Sequence, residues 1–224
     1  MIITISGLPG SGKGTVGRLL ARQLGYRYYS IGDLRRAMAR ERGLTLEELN
    51  TLGERQPFTD RQVDRWQATL GRTRDNLIVE GRTSFYFIPH SVKVFLSVSR
   101  REAGRRIASD QNHLRRFEAG SHFTNIKTVM DALSRRFASD TRRYRKYYSL
   151  DIFDRKHYDL YLATTHKSPK QVANEIMMFL AKIRQRKHHV EKTRKSSKHS
   201  TRVRSKNVDK KRLKMAKVRG YKYL

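Results

Sequence analysis

A short apolar stretch, Ile2–Ser6, runs directly into Gly7-Leu8-Pro9-Gly10-Ser11-Gly12-Lys13-Gly14-Thr15. No other feature restricts the fold so tightly. The β-branched run reads as a strand. After the loop, Val16, Leu19, Leu20 and Leu24 share one helical face, and Gly25 closes it. Strand, glycine-rich turn and helix in that order form the context of a phosphate-binding loop. The glycines let the backbone curl so that successive N–H groups point inward at phosphate oxygens, and the helix N-terminus adds a favourable dipole. Lys13 brings a mobile positive charge to the β- and γ-phosphates. One position departs from the general pattern. Gly14 stands where a hydroxyl usually follows the lysine, and the hydroxyl arrives one residue later on Thr15.

The pattern continues as strands separated by helices. Tyr26–Ser30, Leu77–Val79, Val92–Val98 and Tyr158–Ala163 read as further strands. Asp33–Arg42, a segment opening at Thr45, Asp60–Leu70, Arg101–Ser109 and 125–148 read as helices. Thr45 and Glu48 have capping-box spacing. Ser168-Pro169 opens a last helix to Ile183. The expected class is α/β, a three-layer fold with a parallel sheet of about five strands covered on both faces.

Charge divides the chain. Its 224 residues hold 50 Lys or Arg against 20 Asp or Glu, a net charge of +30. From Arg184 to Leu224 there are 17 basic residues and two acids, Glu191 and Asp209, so this stretch carries half the charge. It has few large apolar residues and cannot bury enough surface to offset ordering entropy. Residues 1–183 are therefore expected to form the folded domain and 184–224 a disordered basic tail. The chain lacks cysteine, which excludes a disulfide scaffold, a thiolate zinc site and a cysteine nucleophile. No apolar run approaches the ~18 residues of a membrane span. No membrane contact and a cytoplasmic location are expected.

The loop Gly-x-Pro-Gly-x-Gly-Lys-Gly-Thr resembles that of the nucleoside monophosphate kinases, adenylate kinase in particular. The rest of the domain is closer to the archaeal-type cytidylate kinases. Ser30-x-Gly32-Asp33-x-x-Arg36, Asp60-Arg61-x-x-Asp64, Glu80-Gly81-Arg82, Arg136-x-x-Ser139-x-x-x-Arg143-Tyr144 and Tyr158-Asp159 follow in that family's order. The resemblance implies a P-loop NTPase-type fold with a helical acceptor-binding segment near 30–72 and a lid near 110–142. It implies transfer of the γ-phosphate of ATP to a nucleoside monophosphate, with CMP or dCMP expected, and a monomer using Mg²⁺.

The acceptor oxygen belongs to a phosphate with a second pKa near 6 and is largely ionised already, so no general base is required. The task is to bring two polyanions together and exclude water. Arginine forks suit that task. The resemblance gives Gly7 to Thr15 to the ATP phosphates. It gives Arg36 and Arg82 to the acceptor phosphate with Gly81 beside them, and Arg136 and Arg143 to the transferring group beside Lys13. Thr15 and Glu80 fit Mg²⁺ through water, with an ion pair to Arg82 as the other reading of Glu80. Asp33 is either a helix N-cap or an acceptor ligand. Arg61 and Asp64 either read a base edge or form a solvated helix pair. The glutamine by which adenylate kinases read adenine is replaced by Tyr86, which argues against AMP.

Two departures matter. Asp110 and Ala103 stand where the family carries a lid arginine, and 111–125 reads as an insertion containing Arg115 and Arg116. The resemblance places the donor base between Arg106 and Thr165–Pro169. Three other readings stay open: an adenylate-kinase-like ATPase acting in ribosome or RNA assembly, a kinase for a small hydroxyl acceptor with Asp33 as base, and a binding module that has lost catalysis through the lid changes. The tail fits RNA or ribosome contact through its cations and through Tyr221 and Tyr223.

Overall fold

All six residues of β1 (Ile2–Gly7) are buried, as expected for a strand covered on both faces. β1 is the middle of a five-stranded sheet in the order β2-β3-β1-β4-β5, with β2 at Arg27–Ser30, β3 at Leu77–Glu80, β4 at Val92–Ser97 and β5 at Leu160–Ala163. Every pairing is parallel; Ile5 lies beside both Glu80 and Val94. The computed structural model describes residues 1–109 and 126–186. The expected insertion 111–125, the first part of the lid and the tail beyond 186 lie outside the described residues.

Helices supply the crossovers that parallel strands require. They are α1 (Lys13–Leu24), α2 (Ile31–Glu41), α3 (Leu46–Arg55), α4 (Phe58–Thr73), α5 (Ser84–Phe87), α6 (Arg100–Ser109) and α7 (Ile126–Tyr148), with α8 at 169–186. The capping box at Thr45 forms as expected. Packing gathers the described residues of Met1–Ile176 into one compact unit. Against one side of the sheet, Ile31, Met38, Leu49, Val63 and Ile88 pack on Ile2, Leu77 and Val79. Each buried aliphatic side chain contributes about 1.5–3 kcal/mol. That cluster fixes α2, α3 and α4, the expected acceptor segment, over the β2–β3 end of the sheet. Among the described residues, no helix is long and apolar enough to cross a membrane.

Candidate active site

The loop between β1 and α1 owes its shape to two close approaches. Gly7 has φ +147°, and a Cβ there would sit 2.2 Å from the Leu96 carbonyl oxygen. Gly10 has φ +74° and lies against the backbone of Ala103 in α6. Neither position admits a side chain. The curled backbone closes with Ser11 N–H donating to Leu8 O at 3.2 Å. Lys13 donates from Nζ to Leu8 O at 2.8 Å. Burial lowers its pKa to about 8, against a smaller opposing pull from Glu80.

This loop forms one wall of a cleft of about 720 Å³. All of Pro9 to Thr15 lines it, together with Asp33, Arg36, Glu80, Gly81, Arg82 and Arg136. The structure thus gathers most of the residues singled out in the sequence, drawn from four separate segments. Among the described residues, nine Lys or Arg line the cleft against four Asp or Glu. Burial and neighbouring Arg82 lower the Arg136 pKa to about 9, and burial also lowers that of Arg82. The cleft is short of negative charge. Phosphate groups would supply it.

The opposite wall comes from α6 and the turn after β5. Arg106 donates to Thr164 O at 2.7 Å and to Thr165 O at 3.2 Å, and Glu102 accepts from both Arg105 and Arg106. Those two guanidiniums hold the Glu102 carboxyl down at about 2. Arg106 therefore ties the Thr164–Pro169 turn to the loop wall, and both line the cleft.

Several placements differ from expectation. The N-cap of α2 is Ser30, not Asp33. Ser30 Oγ accepts from Asp33 N–H at 3.2 Å, because the helix starts two residues earlier than its polar sequence suggests. The Asp33 carboxylate accepts from Arg36 at 2.5 Å. Glu80 accepts from Ser30 Oγ at 2.8 Å and Tyr28 Oη at 3.3 Å, whereas Arg82 pairs with Asp140 of α7. Arg143 does not line the cleft. It is fully buried, donates from Nη1 to both Asp60 oxygens at 2.5 and 2.8 Å, and pairs through Nη2 with Asp140. Position along the helix explains this. Arg136 and Arg143 share a face, but Gly53 of α3 and Asp60 of α4 cover it at Arg143 while it opens onto the cleft at Arg136.

Arg61 and Asp64 part company. Arg61 is exposed, and Asp64 is buried on the inner side of α4. Asp64 accepts from Tyr148 Oη and from Gln67 Nε2 at 3.3 Å, and Gln67 in turn accepts from Ser84 Oγ at 2.7 Å. Burial pushes its carboxyl up to about 7. Ser84 Oγ lies where a side chain on Gly81 would be, so this network backs the Gly81–Arg82 turn without lining the cleft. Tyr86 stacks near Phe87 and Tyr148 and is also off the cleft. Sequence reasoning missed Arg35 and Asp140. Arg35 donates to Asp60 at 2.6 Å and to Asn50 at 2.9 Å. Asp140 is flanked by Arg136 and Arg143 at helical spacings, a signal that was available.

A parallel sheet of this order, with a lysine-bearing glycine loop at the carboxyl end of its central strand and arginines facing it, defines a P-loop kinase. The comparisons with known proteins are narrower. The model of the cytidylate kinase-like family matches residues 2–166. The cytidylate kinase of Methanocella arvoryzae is 33% identical over 184 residues, covering 82% of this chain and 99% of that protein. That of Methanothrix thermoacetophila is 38% identical over 167 residues, covering 73% and 88%. Among solved structures, shikimate kinase from Acinetobacter baumannii aligns at TM-score 0.51 and 17% identity, over 81% of this chain and 93% of that one; at that identity it speaks for the fold alone. The chain belongs to the cytidylate kinase-like family and is a nucleotide-binding transferase.

Proposed function

We propose that this protein transfers the γ-phosphate of ATP to a nucleoside monophosphate, CMP or dCMP, with Mg²⁺. One observation carries the reading: a single cleft joins the glycine loop and Lys13 to Arg36, Arg82 and Arg136 and holds more cations than acids. The loop N–H groups and Lys13 hold the donor phosphates. Lys13 leaves Leu8 O to do so. Arg36, opening its pair with Asp33, and Arg82, beside Gly81, take the acceptor phosphate. Arg136 faces the group in transit. Thr15 and Glu80 line the same cleft. One hydroxyl and one carboxylate already anchored by two hydroxyl donors fit an ion that keeps most of its waters and takes phosphate oxygens for the rest. Mg²⁺ would there neutralise phosphate charge. No side chain has to remove a proton. Asp64 and its partners brace the Gly81–Arg82 turn on the side where the acceptor base would lie. A cytoplasmic monomer is the accompanying expectation.

ADP release measured with CMP, dCMP, UMP, AMP and no acceptor tests this. Turnover should require an acceptor and be highest with CMP or dCMP. Equal release in every arm would refute it, and stimulation by RNA alone would favour an ATPase. Asp33→Asn separates the hydroxyl-acceptor alternative, which needs a carboxylate base and would lose all transfer. The tail invites a second reading. The family match ends at residue 166, and 184–224 carries a +15 excess. We infer that it contacts RNA. Replacing its lysines with glutamine should leave CMP turnover intact and reduce RNA retention at low salt.

A further inference from the structure

The outer face of α4 plays no part in the site. Phe58, Arg61, Gln62, Arg65, Trp66, Thr69 and Arg72 are spaced along one side of the helix. All are exposed. Phe58 is 42% and Trp66 37% exposed, two of the few large apolar side chains so placed among the described residues. Both acids of α4, Asp60 and Asp64, lie buried on the opposite side. The outer face is therefore aromatic and cationic with no carboxylate of its own. The surroundings extend it. The Arg42 guanidinium lies 5.9 Å from the Phe58 ring centre and donates to Gln62 Oε1 at 3.3 Å. Trp66 meets Tyr29 of the edge strand β2 edge-on, with centroids 5.6 Å apart and planes at 72°, so Tyr29 does not stack over the indole. Glu41 is the exposed acid nearest to Arg42 in the chain, and Arg40 and Arg42 flank it.

Arginines alternating with exposed aromatic rings are what an unpaired nucleic acid strand needs. Bases stack on the rings, and phosphates take the guanidiniums. Phe58 and Trp66 are eight residues apart, which is about 12 Å along the helix axis. That exceeds one stacking step of about 3.4 Å, so the rings would receive two different bases. An acidic peptide would use the arginines and leave the rings idle. A duplex hides its base faces. We propose that the outer face of α4, centred on Arg65 and Trp66, binds single-stranded nucleic acid, apart from the kinase cleft.

Trp66 is the chain's sole tryptophan, so its fluorescence reports this face and no other. The full-length protein, saturated with ATP, is titrated with a 12-nucleotide oligouridylate. Parallel titrations use an RNA duplex of equal length, heparin, and vesicles of phosphatidylserine and phosphatidylcholine. Oligouridylate should quench the emission saturably, while heparin, which carries charge without bases, should not. Arg65→Ala should lower the slope of log affinity against log salt by about 0.7, the share of one phosphate contact on a single strand. Phe58→Ala should weaken the quenching titration roughly 5- to 150-fold, the worth of one stacked base. Both variants should keep wild-type acceptor turnover, whatever that acceptor is, so failure here is distinct from failure of the kinase reading. Equal quenching by heparin, oligouridylate binding with unchanged emission, an unaltered titration in both variants, or a response to vesicles alone would each overturn the proposal.

Discussion

Replacing Arg143 with methionine tests whether this arginine holds the fold or serves the reaction. Methionine roughly preserves the length and volume of the side chain, so the change is mainly one of charge and hydrogen bonding. The guanidinium is 0% exposed and spans Asp60 and Asp140, themselves 5% and 6% exposed. Without it Asp60 keeps only Arg35 and Asp140 keeps only Arg82. Removing one member of a buried ionic network costs about 3–5 kcal/mol, here because two buried carboxylates each lose a charged donor. For a domain of this size about 2–4 °C of Tm accompanies each kcal/mol, so a fall of about 6–20 °C is expected. Thermal and urea unfolding measure it. Asp60→Asn in the Arg143→Met background should destabilise further, since it takes from buried Arg35 its carboxylate, with a coupling between the two changes of about 0.5–3 kcal/mol. Turnover per folded molecule at 25 °C should fall by less than about tenfold. An arginine acting on the transferring phosphate would instead cost about 10³–10⁵. A Tm within about 2 °C of wild type together with a thousandfold loss of turnover would refute the structural assignment and place Arg143 at the reacting group.

Lys13 sets a pH signature for nucleotide binding. Burial holds it near 8 in the free protein, and a phosphate beside it favours the charged form. ATP binding should therefore take up a fraction of a proton at pH 8.5 and none at pH 6.5; calorimetry in buffers of different ionisation enthalpy reads this, and equal uptake in Lys13→Arg would contradict it. Asp64 has the opposite sense. Its folded pKa of about 7 lies above the ordinary 3.8, so the folded state keeps a proton that the unfolded chain releases. The stability this proton gives is full below 3.8 and is lost as pH rises to about 7. Asp64→Asn should thus gain on wild type between pH 4 and 7 in denaturant midpoints and level off above. A pH-independent difference would exclude the shift. Gly10→Ala puts a methyl 2.8 Å from Ala103 Cα at φ +74°. It should cost at least about 1 kcal/mol and weaken ATP binding more than CMP binding; unchanged ATP affinity would dissociate the loop's shape from its task.

What the sequence made legible was local. The glycine loop, the strand before it and the capping box at Thr45 depend on neighbours within a few residues, and all form where the pattern places them. The loop is also where backbone chemistry alone dictates function, so its residues needed no tertiary context to be recognised. The arginines behaved differently. A guanidinium reaches far and serves equally well as a phosphate ligand or as a partner for a buried carboxylate, and in a chain with 50 basic residues its type says little. Arg136 and Arg143 differ by two helical turns and share a face, yet one meets the cleft and the other meets Asp60 across α4. The deciding fact is where a second helix covers the first, which no single segment encodes. The same holds for Asp33 and Ser30. Both are good N-caps, and the choice turned on Ile31 being drawn into the core against Leu49 and Val79, which starts the helix early and leaves Asp33 free to meet Arg36. Asp140 was missed for a related reason: a carboxylate between two arginines on a helix reads as surface pairing, and only its burial between Arg82 and Arg143 makes it the link between the cleft and the core. Position relative to the sheet, more than residue type, separates the arginines that can touch phosphate from those that hold the walls apart.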